Sequence, residues 1–153
     1  MRKIAVADEA RRGEIIDAWG PHVCWMLRAL RKLPDADGSF YRGSTMKLSD
    51  LKLNYVTGRL VRLAAFTSTS RSVEMAMAMA GPDGTILQIR AFTGKDISNF
   101  SLYSAEQEVL MVPNKSFIVT KRSQKTFVLK DASTKTMPCI DLCEVRTGEQ
   151  LRA

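Results

Sequence analysis

Three short stretches of this chain put polar groups where strand-like sequence asks for apolar ones. Arg42 closes the stretch Phe40-Tyr41 and precedes Gly43. A glycine lets backbone approach a ligand closely, and an arginine fork beside it can grip a phosphate through two parallel hydrogen bonds. Phe66-Thr67-Ser68-Thr69-Ser70 crowds hydroxyls at the end of an apolar run. Such hydroxyls cap a following helix, or orient a carboxylate or a sugar. Glu106-Gln107-Glu108 runs into the apolar Val109-Leu110-Met111-Val112. Read as strand, Glu106 and Glu108 point to the same side, about 7 Å apart. Two carboxylates at the mouth of a buried strand repel each other unless cations or hydroxyls meet them. A pair held that way can stabilise a developing positive charge or accept a proton. Each stretch also has an ordinary reading: an edge-strand arginine facing a surface carboxylate, helix-capping hydroxyls, and a polar strand entry open to solvent.

The elements that position these groups come in two blocks. Ile15, Ile16, Trp19, Val23, Met26, Leu27 and Leu30 recur at helical spacing. Gly20-Pro21 interrupts them, and proline suits the first turn of a helix rather than its interior. The spacing therefore predicts two helices, about 8–19 and 21–33, packed through one apolar stripe. Later, strands are expected at 39–43, 60–67, 85–92, 108–112, 116–122, 126–130 and 137–145, with helices near 48–55 and at 72–80. The run Val109–Val112 reads as a central strand buried on both sides. Helices first and strands later argue for an α+β fold.

Composition bounds the rest. The 153 residues suit one domain with a real core, and 45% hydrophobic with 25% charged residues is ordinary globular composition. No apolar run approaches the roughly 18 residues of a membrane span, and the N-terminus has no apolar core of a secretory signal. The formal charge of +7 would draw polyanions or an acidic surface. With 7% aromatics there is no evident platform for stacking bases. Cys139 and Cys143, read as strand, lie about 13 Å apart, too far to bridge. The odd third thiol is Cys24, and the one histidine is His22. No metal site is expected, and packed, reduced thiols favour a soluble, cytoplasmic setting.

In their order, these stretches resemble the arginine-specific mono-ADP-ribosyltransferase family. The resemblance runs from Leu30-Arg31-Lys32-Leu33-Pro34 and Phe40-Tyr41-Arg42-Gly43, through Phe66–Ser70, to Glu106–Pro113 and Phe117-Ile118-Val119. It implies a single catalytic domain over residues 1–153, of a size that a longer protein could carry. The implied fold has N-terminal helices and then two small, roughly perpendicular β-sheets that form a cleft for NAD.

The resemblance also implies roles. Arg42 holds the NAD phosphate, Gly43 meets the nicotinamide amide through its backbone, and Ser68 positions Glu108. Glu108 holds the ribose and stabilises the charge left as nicotinamide departs. Glu106 engages the acceptor guanidinium. Tyr41, Thr69 and Ser70 complete the NAD site. The segment 98–105 matches the substrate-recognition loop, with Phe100 and Tyr103 as its aromatics. The implied activity moves ADP-ribose from NAD, a substrate rather than a resident cofactor, to an arginine of a target protein. The alternatives are NAD hydrolysis, transfer to another acceptor such as nucleic acid, and a non-enzymatic binding module; Glu106 argues against nucleic acid. One departure stands out. The segment Val73–Ala80 has no aromatic to stack on nicotinamide, so Met75 or Met77 could line that site or simply fill core.

Overall fold

The computed structural model describes residues 2–146, with side chains from residue 11 onward. The chain divides into two units, Met1–Pro34 and Asp35–Ala153. The first is one helix, α1 (Arg2–Arg31), which runs straight through Pro21. This corrects the expected pair of helices. An interior proline removes one backbone hydrogen bond and costs about 3 kcal/mol. The helix continues on both sides of Pro21 even though the immediate neighbours Trp19, Gly20, His22 and Val23 are middling or poor helix formers. With one helix in place of a packed pair, the apolar stripe lies open at Ile15, Ile16, Trp19 and Met26.

The second unit is mostly sheet. Its elements are β1 (Asp35–Ser44), β2 (Leu60–Leu63), β3 (Thr67–Ser70), α2 (Val73–Ala80), β4 (Thr85–Asp96), β5 (Glu108–Met111), β6 (Lys115–Val128) and β7 (Thr134–Glu144). The strands hydrogen-bond as one continuous network in the order β1-β3-β5-β4-β7-β6-β2, and β1 also pairs with β4. Strands β1, β3, β5 and β4 thus close a ring, from which β7, β6 and β2 extend. The architecture is mixed α and β, with strand dominant.

The central strand is β4, not the expected 109–112 run. It pairs antiparallel with β1 from Asp35↔Lys95 to Ser44↔Thr85, and parallel with β7 from Ile86↔Cys139 to Arg90↔Cys143. Its end pairs with β5 through Lys95↔Leu110 and Asp96↔Val109. Leu87, Ile89 and Ala91 join one core with Phe40, Val109, Met111, Phe117, Val119, Ile140 and Leu142. Ile86 joins a second core with Ala76, Met77, Ala80, Phe127, Met137 and Cys139. Each of the large side chains fully buried here stabilises the fold by about 1.5–3 kcal/mol. Strand β5 alternates instead: Val109 and Met111 are buried, while Glu108 and Leu110 are half-exposed.

Other boundaries also moved. The run 60–67 splits, because β2 pairs with β6 whereas β3 pairs with β5. The two strands expected over 116–130 are one, with a register shift at Val119/Lys121 against β7. The expected helix near 48–55 shrinks to a single 3-10 turn at Asp50–Lys52, anchored by buried Leu51. Helix α2 forms as expected. Ser72 caps it by accepting a hydrogen bond from Met75 N, and Gly81, at φ 72°, ends it by donating to Met77 O.

Helix α2 lies hard against β1. A Cβ at Gly43 would sit 2.0 Å from Ala76 O and 2.6 Å from Ala80 N, both backbone atoms. The small residues Gly43, Ala76 and Ala80 therefore set the depth at which the helix seats. Gly43→Ala is expected to destabilise the protein by about 3 kcal/mol or more, as overpacking against rigid backbone does. Urea unfolding checks this; a loss under about 1 kcal/mol would show that the helix shifts freely.

Candidate active site

Strands β3 and β5 build the floor of the site. Their register pairs Ser70 with Glu108, Thr69 with Val109 and Ser68 with Leu110. Alternation then sorts the side chains. Thr67, Thr69, Val109 and Met111 turn into the interior, while Ser68, Ser70, Glu108 and Leu110 share the opposite face. The Thr69 hydroxyl is buried and donates to Val109 O at 2.5 Å, which locks the two strands together. Ser70 is the direct cross-strand neighbour of Glu108, and Ser68 is its diagonal neighbour.

Glu106 arrives by a route that strand alternation does not describe. It ends a 3-10 turn, Ser104–Glu106, and Gln107 is left-handed at φ 47°, ψ 50°. The expectation that two carboxylates share a face because both lie on a strand is corrected here: the strand begins only at Glu108. Tertiary hydrogen bonds hold the turn. Ser70 Oγ donates to Glu106 O at 2.5 Å and accepts from Ser72 N at 2.9 Å. Arg71 N donates to Gln107 O at 3.2 Å, and Ile97 N donates to Glu108 O at 3.0 Å.

These elements converge. Tyr41, Arg42, Ser68, Thr69, Ser70, Glu106 and Glu108 line one narrow cleft with Met75, Ala76 and Met79. Arg42 crosses from β1 and donates through Nη1 to Ser68 O at 2.9 Å. It also opens into a larger adjoining cavity of about 590 Å³, shared with Gly43, Met46, Leu51, Asn54 and Tyr55. That volume lies in the range of small-molecule sites. Burial raises the Tyr55 pKa, and the nearby Arg42 charge partly opposes the shift. Among the described residues, neither the two carboxylates nor the Ser68 hydroxyl has a hydrogen-bonding or ionic partner within the protein. They are left available to a ligand. No group of three or more His, Cys, Asp and Glu side chains among the described residues is placed to hold a metal ion.

Comparison with known proteins places the chain. The family model for NAD:arginine ADP-ribosyltransferases matches residues 20–135, well over half of the sequence. The chain belongs to this family. It is 35% identical over 111 residues to the NAD(+)–protein-arginine ADP-ribosyltransferase Tre1 of Serratia proteamaculans, covering 72% of this chain and 22% of that protein. It spans less than half the length of each curated relative it matches. Among solved structures it is similar to the Vis toxin of Vibrio splendidus in complex with agmatine. That match has a TM-score of 0.65, with 26% identity, and covers 88% of this chain and 64% of the other. The fold is shared with the ADP-ribosyltransferase HopU1 of Pseudomonas syringae, at a TM-score of 0.58 and 24% identity over 73% of this chain and 47% of that one.

Of the residues singled out in the sequence, Gly43, Phe100 and Tyr103 lie outside the narrow cleft. Gly43 lines the larger cavity, and its tight contact is with α2. Phe100 and Tyr103 line neither hollow and are 75% and 68% exposed on the loop between β4 and β5. Of the methionines, Met75 lines the cleft, whereas Met77 is core. Met79 and the pair Asn54-Tyr55 were not anticipated. Helical spacing from Met75 could have found Met79, four residues on; nothing local marks Asn54-Tyr55.

The two serines of β3 carry different loads. Ser70→Ala removes a buried hydroxyl with two partners and is expected to cost about 1–3 kcal/mol of stability. Ser68→Ala removes a hydroxyl with no protein partner and is expected to cost less than about 0.5 kcal/mol. Denaturant unfolding of the two variants side by side checks the contrast, and equal losses would contradict it.

Proposed function

We propose that this chain cleaves NAD and transfers the ADP-ribose to an arginine side chain of a protein, releasing nicotinamide. The observation that carries the reading is the convergence of Arg42, Ser68, Glu106 and Glu108 on one cleft, with both carboxylates unpaired. The family and the arginine-directed relatives support it. The Vis structure with agmatine, an arginine analogue, supports an arginine-like acceptor here.

The chemistry follows from charge. As the C–N glycosidic bond breaks, its electron pair leaves with nicotinamide and the ribose carbon becomes oxocarbenium-like. A fixed carboxylate stabilises that charge best where water is scarce. Glu108, on the rigid floor strand, takes this role and the ribose hydroxyls. Ser68, its diagonal neighbour, orients it, with Thr69 and Ser70 holding the strand. Arg42, between the cleft and the larger cavity, grips the pyrophosphate that must span them, and Tyr41 and Gly43 flank it. An acceptor guanidinium stays protonated at neutral pH and is a poor nucleophile. Glu106 takes its proton as the new N–C bond forms. Phe100 and Tyr103 meet the target protein. In this reading the NAD cleft lies between two roughly perpendicular parts of the strand network, with Arg42 of β1 at its mouth.

Incubation of the chain with labelled NAD and agmatine tests this. Glu108→Ala is expected to lower both transfer and NAD hydrolysis by about 10²–10⁴-fold. Glu106→Ala is expected to lose transfer and keep nicotinamide release. Nicotinamide release without transfer in the unaltered chain would instead mark a glycohydrolase. Arg42→Lys keeps the charge but loses the fork, and calorimetry is expected to show NAD binding weakened about tenfold. Undiminished affinity would remove Arg42 from the phosphate.

A further inference from the structure

We infer that Arg71 is a positioning residue that clasps both ends of the 97–107 loop and thereby sets Glu106 for the acceptor. This inference rests on the transferase reading of the cleft. The loop leaves the sheet at Asp96, the last residue of β4, and returns at Glu108, the first residue of β5. Arg71 follows β3 and touches both points. Its backbone N–H donates to Gln107 O at the loop's exit, at 3.2 Å. Its guanidinium reaches the loop's entrance, where Nε and Nη2 donate to Asp96 Oδ2 at 3.2 and 3.1 Å. The guanidinium also lies 5.3 Å from the ring centre of Phe40, a fully buried core residue, which fixes its seat.

Asp96 relays the grip into the loop. Its Oδ1 accepts from Ser98 N at 3.1 Å and from Ser98 Oγ at 2.6 Å. The Ser98 hydroxyl, then the Ser98 N–H and Arg71, hold the Asp96 carboxyl below its usual pKa against a modest burial effect, so the clasp is charged through the neutral range. Arg71 is 44% and Asp96 37% exposed, so the ion pair adds little to global stability. Its effect is local. The loop carries Phe100, Tyr103 and Glu106, and its own interior bonds are short-range turns. Ser70 fixes only the carbonyl of Glu106, whereas Glu108 is held by the ladder of β3 and β5 as well as by the Ile97 N–H. Releasing the clasp therefore loosens Glu106 while leaving Glu108 in place, and shifts the fate of the ribosyl cation from the acceptor toward water.

The test uses the full chain with Arg71→Gln, Asp96→Asn and the conservative Arg71→Lys, which still reaches the single oxygen Oδ2 with a positive charge. In Arg71→Gln and Asp96→Asn, the ratio of agmatine transfer to NAD hydrolysis is expected to fall about tenfold, with the agmatine KM up about fivefold. The NAD KM stays within about twofold, and Arg71→Lys restores most of the ratio. Amide exchange over 97–107 accelerates in Arg71→Gln, while the strands keep their protection. Equal losses of transfer and hydrolysis, or unchanged exchange in the loop, overturn the clasp. An unaltered chain that neither releases nicotinamide nor labels agmatine overturns the transferase reading and the partition claim with it, while amide exchange still judges the clasp itself.

Discussion

The site depends on one short antiparallel ladder, the four rungs between β3 and β5. Its register decides which side chains face the cleft and which face the core. A slip of β5 by one residue would turn Glu108 inward and put Val109 in its place in the cleft. The buried bond from Thr69 to the Val109 carbonyl, inside the larger core, guards against that slip. The core behind the ladder is packed by β4, which contributes to both hydrophobic clusters and pairs with β5, β1 and β7. The polar face is thus held by apolar packing on its reverse.

Much of the site was legible because its residues violate the local pattern. An arginine before a glycine, a run of hydroxyls and two glutamates at a strand entry each stand out against apolar alternation. Their order along the chain carried the family. Helix α2 was legible from its alanines and methionines and from the turn residues after it. The strands expected at 39–43 and 85–92 fall within β1 and β4, which flank the site.

What was not legible was decided at a distance. Ser70 reaches Glu106 across 36 residues, and that bond keeps Glu106 in a turn rather than on the strand. No pattern within residues 104–108 signals it. The polar stretch Ser123-Gln124-Lys125 reads as a break, yet its pairing with Cys139, Pro138 and Met137 keeps it in β6. Helix α1 was missed in the opposite direction. The rule against interior proline is a local energy, and here the helix runs on across it. Which strand occupies the centre of the sheet is a matter of long-range pairing, so apolar content alone pointed to β5 when the answer was β4.

Gln107 adopts a conformation that few side chains other than glycine and asparagine favour. Its left-handed twist is a mechanical joint. On one side, Glu108 belongs to the sheet and shares its rigidity. On the other, Glu106 ends a 3-10 turn whose carbonyl is tied to the sheet by Ser70. On the proposed reading, the group that meets the developing charge and the group that meets the acceptor thus stand on opposite sides of one backbone joint.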